Sequence, residues 1–405
     1  MTMPRREFVR TLAVGAMSPV IKTRNTYDVA VIGAGVFGAW SAYELQKSGQ
    51  RVVLLDCYGP ANSRASSGGE SRVVRCAYGD AEIYSRWAMR SLAAWDELSA
   101  RTTTSLLHRT GVLWLARTDD PLSLKSLETL KRLGVVHEKL ARKDLEKRFP
   151  QISFGALSWG IFEPQSGVVM ARRAVQLLVE ETIKTGATYI NAFVNAPKGK
   201  GKLESLRISS GESVSAASYV FACGPWLPKI FPDVLGGRIH PTRQDVFFFG
   251  TPAGDRRFAP PVMPVWADFG NEIYGVPDLE NRGFKIGLDR HGPSFDPDTA
   301  ERSPARSNLT EVRRYLGERF PALKHAPLVE SRVCQYENTS NGDFLIDRHP
   351  DLSNVWLVGG GSGHGFKHGP AVGEYVRQRV YGESGDAEPR FSLASKKRVQ
   401  RRTVY

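Results

Sequence analysis

The stretch Tyr27-Asp28-Val29-Ala30-Val31-Ile32-Gly33-Ala34-Gly35-Val36-Phe37-Gly38 decides the fold. A short apolar run with β-branched residues enters a Gly-x-Gly-x-x-Gly turn, and a helical stretch follows from Ala39 to Lys47. Beyond Gly49 a second strand, Arg51 to Leu55, ends at Asp56. Strand, glycine turn, helix, strand and acid make the βαβ unit that binds a dinucleotide. Each part has a task. Gly33 permits the tight turn, Gly35 lets the backbone approach a pyrophosphate, and Gly38 lets helix and strand pack closely. Free N–H groups and partial positive charge at the helix start favour phosphates. Asp56, 23 residues after Gly33, is placed to accept hydrogen bonds from the adenosine ribose. At this point FAD and a nicotinamide cofactor both remain open.

The rest of the chain narrows the class. Its 405 residues are 41% hydrophobic and 24% charged, which excludes disordered, collagenous and coiled-coil chains. Cys57, Cys76, Cys223 and Cys334 are too scattered for a disulfide scaffold or a CxxC site. The longest apolar run, Leu12 to Ile21, is broken by Ser18 and Pro19 and is too short to span a bilayer. A net charge of +13 suggests nucleic acid or an anionic surface. Its distribution argues otherwise. Residues 1–25 carry +4 and residues 391–405 carry +5, which leaves about +4 for the body. No nucleic-acid motif accompanies it, so none is expected as a partner. Arg5-Arg6, Phe8 and the apolar stretch from Thr11 read as a twin-arginine export signal, which predicts a bacterial periplasmic location, with the cytoplasm as alternative. The C-terminal charge reads as a solvated basic tail, 391–405.

Later segments predict that the nucleotide domain is discontinuous. Arg172 to Thr185 has apolar residues at helical spacing and precedes a strand, Ala187 to Val194. Ser218 to Gly224 reads as a strand running into a turn. Asn354 to Val358 reads as a strand opening into Gly359-Gly360-Gly361-Ser362-Gly363, with a helix from about Pro370 to Val380. The expected fold is α/β, a discontinuous Rossmann-like domain (26–101, 162–238 and 325–390) with an inserted antiparallel-sheet substrate domain (102–161 and 239–324).

Further motifs carry a family resemblance. They are Ser66-Ser67-Gly68-Gly69-Glu70-Ser71-Arg72-Val73-Val74-Arg75, Ala222-Cys223-Gly224-Pro225-Trp226, Val333-Cys334-Gln335-Tyr336, and Gly363-His364-Gly365-Phe366-Lys367. In this order, after the βαβ unit, the chain resembles the monomeric sarcosine oxidase and N-methyltryptophan oxidase branch of the D-amino-acid-oxidase-type FAD-dependent oxidoreductases. The resemblance spans nearly all of residues 27–392.

It implies FAD as cofactor, bound by Gly33, Gly35, Gly38, Asp56, Ser67, Arg72, Val194, Gly361 and Gly363. It also implies a thioether from Cys334 to the flavin 8α carbon; a thiolate near a cation is a suitable nucleophile for that electron-poor position. Arg75 and Lys367 match the cations that hold the substrate carboxylate, and Lys285 matches the lysine that promotes reaction with dioxygen. Arg72 matches a cation beside the flavin ring, and His364 is a candidate for proton transfer or for orienting its loop.

The implied activity is oxidation of an N-methyl or cyclic amino acid to an imine by hydride transfer to flavin N5. Dioxygen is then reduced to hydrogen peroxide. The implied partners are a small amino acid and dioxygen, and the implied state is a monomer. Alternatives are a dehydrogenase passing electrons to a quinone or carrier, and a non-catalytic flavin-bearing assembly protein. Three positions depart from the pattern. Gly68 stands where the family often has histidine, Asp289 replaces a substrate-side histidine, and a pocket tyrosine matches Ile273, with Tyr274 adjacent. These departures turn the expectation from sarcosine itself toward another secondary amine.

Overall fold

The strand Thr26–Ile32 lies at the centre of a sheet, with Val31 opposite Val220 on one side and Leu54 on the other. A computed structural model describes residues 26–382 and 387–399; the twin-arginine-like segment, 1–25, lies outside the described residues. The sheet order is Leu345–Arg348, Val355–Gly359, Ser213–Phe221, Thr26–Ile32, Val52–Asp56 and Thr188–Asn191. Pairing is parallel except at the Leu345–Arg348 edge, and the short strand Leu206–Arg207 adds antiparallel to Ser213–Phe221. Alternation explains the continuous apolar runs. Val29, Val31, Leu54 and Val220 enter one core, and Ala30, Ile32, Val53 and Phe221 enter another on the opposite face. A strand covered on both faces has no reason to alternate with polar residues.

The helix Val36–Lys47 begins at the glycine turn and packs against Gly369–Tyr381 and Ala171–Lys184. Glycine is required in the turn. Gly33 has φ +102°, and a Cβ there would lie 2.5 Å from the Ala222 carbonyl oxygen. A Cβ on Gly38 would lie 1.8 Å from the Gly33 carbonyl oxygen, so this residue serves packing. Gly38→Ala is expected to destabilise the protein by about 1–3 kcal/mol, the usual range for overpacking. An unchanged melting temperature overturns that expectation.

The second sheet has eight strands, ordered Leu328–Thr339, Ile239–Phe249, Phe284–Leu288, Ile273–Val276, Val265–Asp268, Val112–Ala116, Trp159–Glu163 and Glu138–Ala141. All neighbours are antiparallel except Val265–Asp268 beside Val112–Ala116. One face packs under the helix Arg306–Arg319 through Phe247, Phe249, Phe284, Ile286 and Tyr315. Strand alternation then turns Val246, Phe248 and Lys285 to the opposite face, where a cavity lies.

Two boundaries differ from those read in the sequence. Leu328–Thr339 falls within 325–390 but joins the second sheet, because it pairs along nearly the whole of Ile239–Phe249. Trp159–Glu163 likewise carries that sheet past residue 161.

The solvated C-terminal tail is also corrected in its first part. Phe391 is fully buried against Tyr84, Trp87, Phe344 and Tyr375, and Lys396 is buried with its Nζ donating to Asn341 Oδ1 and the Arg390 carbonyl. An aromatic anchor with satisfied backbone groups outweighs the polar composition of the segment. Among the described residues, no helix is long and apolar enough to cross a membrane.

Candidate active site

Two cavities meet between the sheets. The first opens at the C-terminal ends of the central parallel strands, beside the start of the helix Val36–Lys47. This is where open α/β sheets bind ligands. Its lining includes Gly33, Gly35, Asp56, Ser67, Arg72, Val194, Cys334, Gly361 and Gly363. Gly38, expected with them, is absent from the lining and faces the Gly33 carbonyl.

Several details of the first cavity match a dinucleotide. A Cβ on Gly35 would meet only Ser67 Oγ at 3.5 Å, so glycine here clears cavity space rather than a protein contact. Ser67 Oγ accepts the Val36 N–H (3.0 Å), which fixes the loop carrying Arg72 to the helix start. Asp56 ends its strand with Oδ2 accepting the Ala34 N–H and Oδ1 the Tyr58 N–H, both at 2.8 Å. Burial raises its pKa against those hydrogen bonds. An acid at one end, an open glycine turn and a helix N-terminus fit the ribose and diphosphate of FAD.

The second cavity lies over the eight-stranded sheet. It shares Arg72, Cys334, Tyr336, Gly363 and Phe366 with the first, and adds Arg75, Lys285, Lys367, Tyr274, Asp289, His291 and His364. The shared residues mark where the two cavities meet. Arg72 holds this boundary. Its Nη2 donates to the Ser66 carbonyl (2.6 Å) and lies 3.2 Å from Cys334 Sγ, and its Nη1 donates to the Ser71 carbonyl (2.8 Å).

Arg75, Lys285 and Lys367, among the cations lining the second cavity, are buried. Arg75 donates to the Ala77 carbonyl and lies over the Tyr78 and Trp114 rings at 4.1 and 4.7 Å. Lys367 Nζ donates to the His364 carbonyl at 2.9 Å and also faces Tyr78. Burial, then Arg75, holds Lys367 well below the usual lysine range. Lys285 Nζ donates to the Ser71 carbonyl (3.0 Å) and Oγ (3.2 Å); burial and then Arg72 push it down to about 7. With five Lys or Arg side chains against Glu70 and Asp289, the lining of this cavity favours an anion.

The departures have physical reasons. A Cβ on Gly68 would sit 2.0 Å from the Asn62 carbonyl oxygen, so no side chain fits. Ile273 is buried in the core under the sheet, while the adjacent Tyr274 lines the cavity. Asp289 Oδ1 accepts the Tyr336 hydroxyl at 3.0 Å. His364 lies in the wall of the second cavity, with Nε2 3.0 Å from the Gly342 carbonyl and Nδ1 3.4 Å from Tyr78 Oη; burial holds its pKa far down. At Gly363, φ is +80° and a Cβ would strike the Tyr336 ring at 2.6 Å. Gln244, His291 and Glu337 also line the cavities; in the sequence each sits among other polar residues and belongs to no motif.

Comparison with known proteins decides the family. The model of the FAD dependent oxidoreductase (DAO) family matches residues 28–379. The chain belongs to that family. It is 30% identical to monomeric sarcosine oxidase of Bacillus sp. (strain B-0618), over 91% of this chain and 95% of that one. It is 30% identical to peroxisomal sarcosine oxidase of Homo sapiens (92% and 95% covered) and 27% identical to N-methyl-L-tryptophan oxidase of Salmonella heidelberg (91% and 97%). The fold matches L-proline dehydrogenase from P. horikoshii with TM-score 0.79 at 20% identity, covering 91% and 97% of the two chains. Its cofactor is therefore FAD, and the chain is an FAD-dependent oxidoreductase.

Proposed function

We propose that this FAD-dependent oxidoreductase oxidises a secondary amino acid, N-methyl or cyclic, at the carbon next to nitrogen, with dioxygen as the final acceptor. One observation carries the reading. Arg75, Lys285 and Lys367 converge in a cavity that meets the dinucleotide cavity at Arg72 and Cys334. The sarcosine and N-methyltryptophan oxidases named above support the CH–NH donor class.

When bound, FAD would supply the two-electron acceptor for a hydride leaving the substrate carbon, with dioxygen as the final oxidant and hydrogen peroxide as its product. The protein residues orient the reaction. Arg75 and Lys367 grip the carboxylate, Arg with a planar fork and Lys with a point charge. Gripping that end fixes which carbon meets the ring. Tyr274 and Phe248 wall the reacting end and exclude water. The reactive amine is the neutral form, since its lone pair drives imine formation, and water then hydrolyses the imine to aldehyde and amine.

Cys334 is the proposed point of covalent attachment. Cys57 and Cys223 also line the first cavity, but burial pushes Cys57 up to about 11 and Cys223 well above its ordinary value. Only Cys334 of these sits at the boundary between the cavities with the Arg72 guanidinium against its sulfur. Acid precipitation is expected to leave yellow colour in the protein pellet and, for Cys334→Ser, in the supernatant. A colourless pellet from the unsubstituted protein refutes the linkage.

The reaction itself is tested by adding N-methyl and cyclic amino acids without oxygen and then admitting air. Bleaching of the flavin with rapid recovery is the expected result. Slow recovery points to an electron carrier as acceptor, and no bleaching with any amine points to a non-catalytic role. The monomeric state and export of the chain belong to the same proposal and are read by light scattering and by fractionation of the source cells.

A further inference from the structure

The wall of the first cavity contains a buried acid, Glu337, that the proposed reaction does not use. It is 8% exposed and lies three residues beyond Cys334 in the strand Leu328–Thr339, roughly 10 Å along the backbone from the Cys334 Cα. Its Oε2 is buried without a hydrogen-bond partner. Buried polar atoms nearly always have partners, so an incompletely satisfied carboxyl group on a residue of the cavity wall points to a ligand.

The surrounding backbone leaves room for this carboxyl group. A Cβ on Gly359 would lie 3.1 Å from Oε2, one on Gly361 3.3 Å from Oε1, and one on Gly224 3.8 Å from Oε2. The Gly360 and Gly361 N–H groups point at the carboxylate and favour its charged form. Burial outweighs them and pushes Glu337 up to about 7. Near neutral pH the group therefore offers both a donor and an acceptor.

Its position selects the part of the cofactor it meets. The cavity runs from Asp56 and Tyr58, at the ribose end, to Cys334 and Gly363, at the boundary with the second cavity. The diphosphate belongs at the Gly33–Gly35 turn and helix start. Glu337 instead faces Gly224 and Gly359–Gly361. In FAD a ribityl chain joins the ring to the diphosphate, and its hydroxyls each donate and accept. A carboxyl group can pair with a hydroxyl in either protonation state.

We propose that Glu337 is a cofactor-positioning residue whose carboxyl group hydrogen-bonds a ribityl hydroxyl of FAD and so sets where the ring meets Cys334 and the second cavity. This rests on FAD occupying the first cavity. The test uses apoprotein with Cys334→Ser in every arm, so that binding stays reversible. It is titrated with FAD and with FAD analogues lacking the ribityl 2′-, 3′- or 4′-hydroxyl, and flavin fluorescence is followed.

With Glu337 present, one analogue is expected to bind about 10-fold more weakly than FAD. With Glu337→Leu, FAD itself weakens by a similar factor and that analogue is no longer distinguished from it. Glu337→Gln, which keeps the shape and a polar group, restores part of the discrimination. Equal affinity for all three analogues and FAD in the protein that retains Glu337 overturns the proposal without recourse to any variant. Failure of that protein to bind FAD at all would instead remove the cavity assignment.

Discussion

Lys285→Met is expected to leave flavin reduction by the amine nearly unchanged and to slow reoxidation by dioxygen about 10²- to 10³-fold. The lysine lies on the cavity face of Phe284–Leu288, while its neighbours Phe284 and Ile286 are fixed in the core, so the side chain is held in place before any reaction begins. The Ser71 carbonyl and hydroxyl hold Nζ from one side, and the Phe248 and Tyr274 rings approach it at 5.9 Å. Electron transfer to dioxygen creates negative charge where none existed in the resting state. A fixed cation in a dry cavity stabilises that charge without reorganisation. Methionine keeps the length and loses the charge.

The pH dependence follows from the same group. Its pKa is lowered to about 7, chiefly by burial and then by Arg72, so the useful charge is complete below that value and lost as pH rises through it. Negative charge gathering beside Nζ moves the step upward. Reoxidation should therefore fall with rising pH at or above about 7 in the unsubstituted protein, and Lys285→Met should show no such step. Stopped-flow measurement of the two half-reactions checks both statements. Equal slowing of both half-reactions by Lys285→Met would assign the lysine to substrate binding instead.

Local pattern carried much of this architecture. Gly33, Gly38 and Asp56 act within one βαβ unit, and their spacing is visible in a single segment. Gly-Phe-Lys-Ile-Gly shows an alternation that sends Lys285 away from the core. What sequence did not show is mostly long-range. Arg72 and Cys334 touch across 262 residues, and no local rule pairs them. The strand bearing Cys334 joined the second sheet because of its register with Ile239–Phe249, which is a property of two distant segments.

Parity separates Ile273 from Tyr274. A shift of one residue in a strand exchanges the cavity face for the core face, so matching the pocket tyrosine to Ile273 placed it on the wrong side. The C-terminal segment misled through composition. Its lysines and arginines suggested solvent, while the single anchor Phe391 and the enclosed Lys396 bind it to the body. Glu337 was hidden for a related reason. A lone acid in a strand usually marks a solvated face, and only the glycines around it reveal a cavity.

Lys367→Met is expected to raise KM for an amino-acid substrate about 10²-fold, and Arg75→Lys to raise it less, with kcat changed little in both. The expectation rests on the carboxylate. Arg75 and Lys367 share the Tyr78 ring, and Arg75 raises the cost of charging Lys367 in a buried site. A bound carboxylate relieves that repulsion and gains charge-assisted hydrogen bonds. The decisive comparison is an N-methyl amine lacking the carboxylate. It should bind poorly to the unsubstituted protein, and Lys367→Met should not weaken it further.

Acidity gives a second readout. Burial and Arg75 hold Lys367 well below the ordinary lysine range, so its charge is lost earlier than that of a solvated lysine as pH rises. Affinity for the amino acid should fall through that titration, and Lys367→Arg, which stays charged, should flatten the fall. If Lys367→Met slows the amine without a carboxylate as much as the amino acid, the lysine acts on the reacting end. The carboxylate would then be held by Arg75 without it, and the cation pair would have to be divided between binding and chemistry.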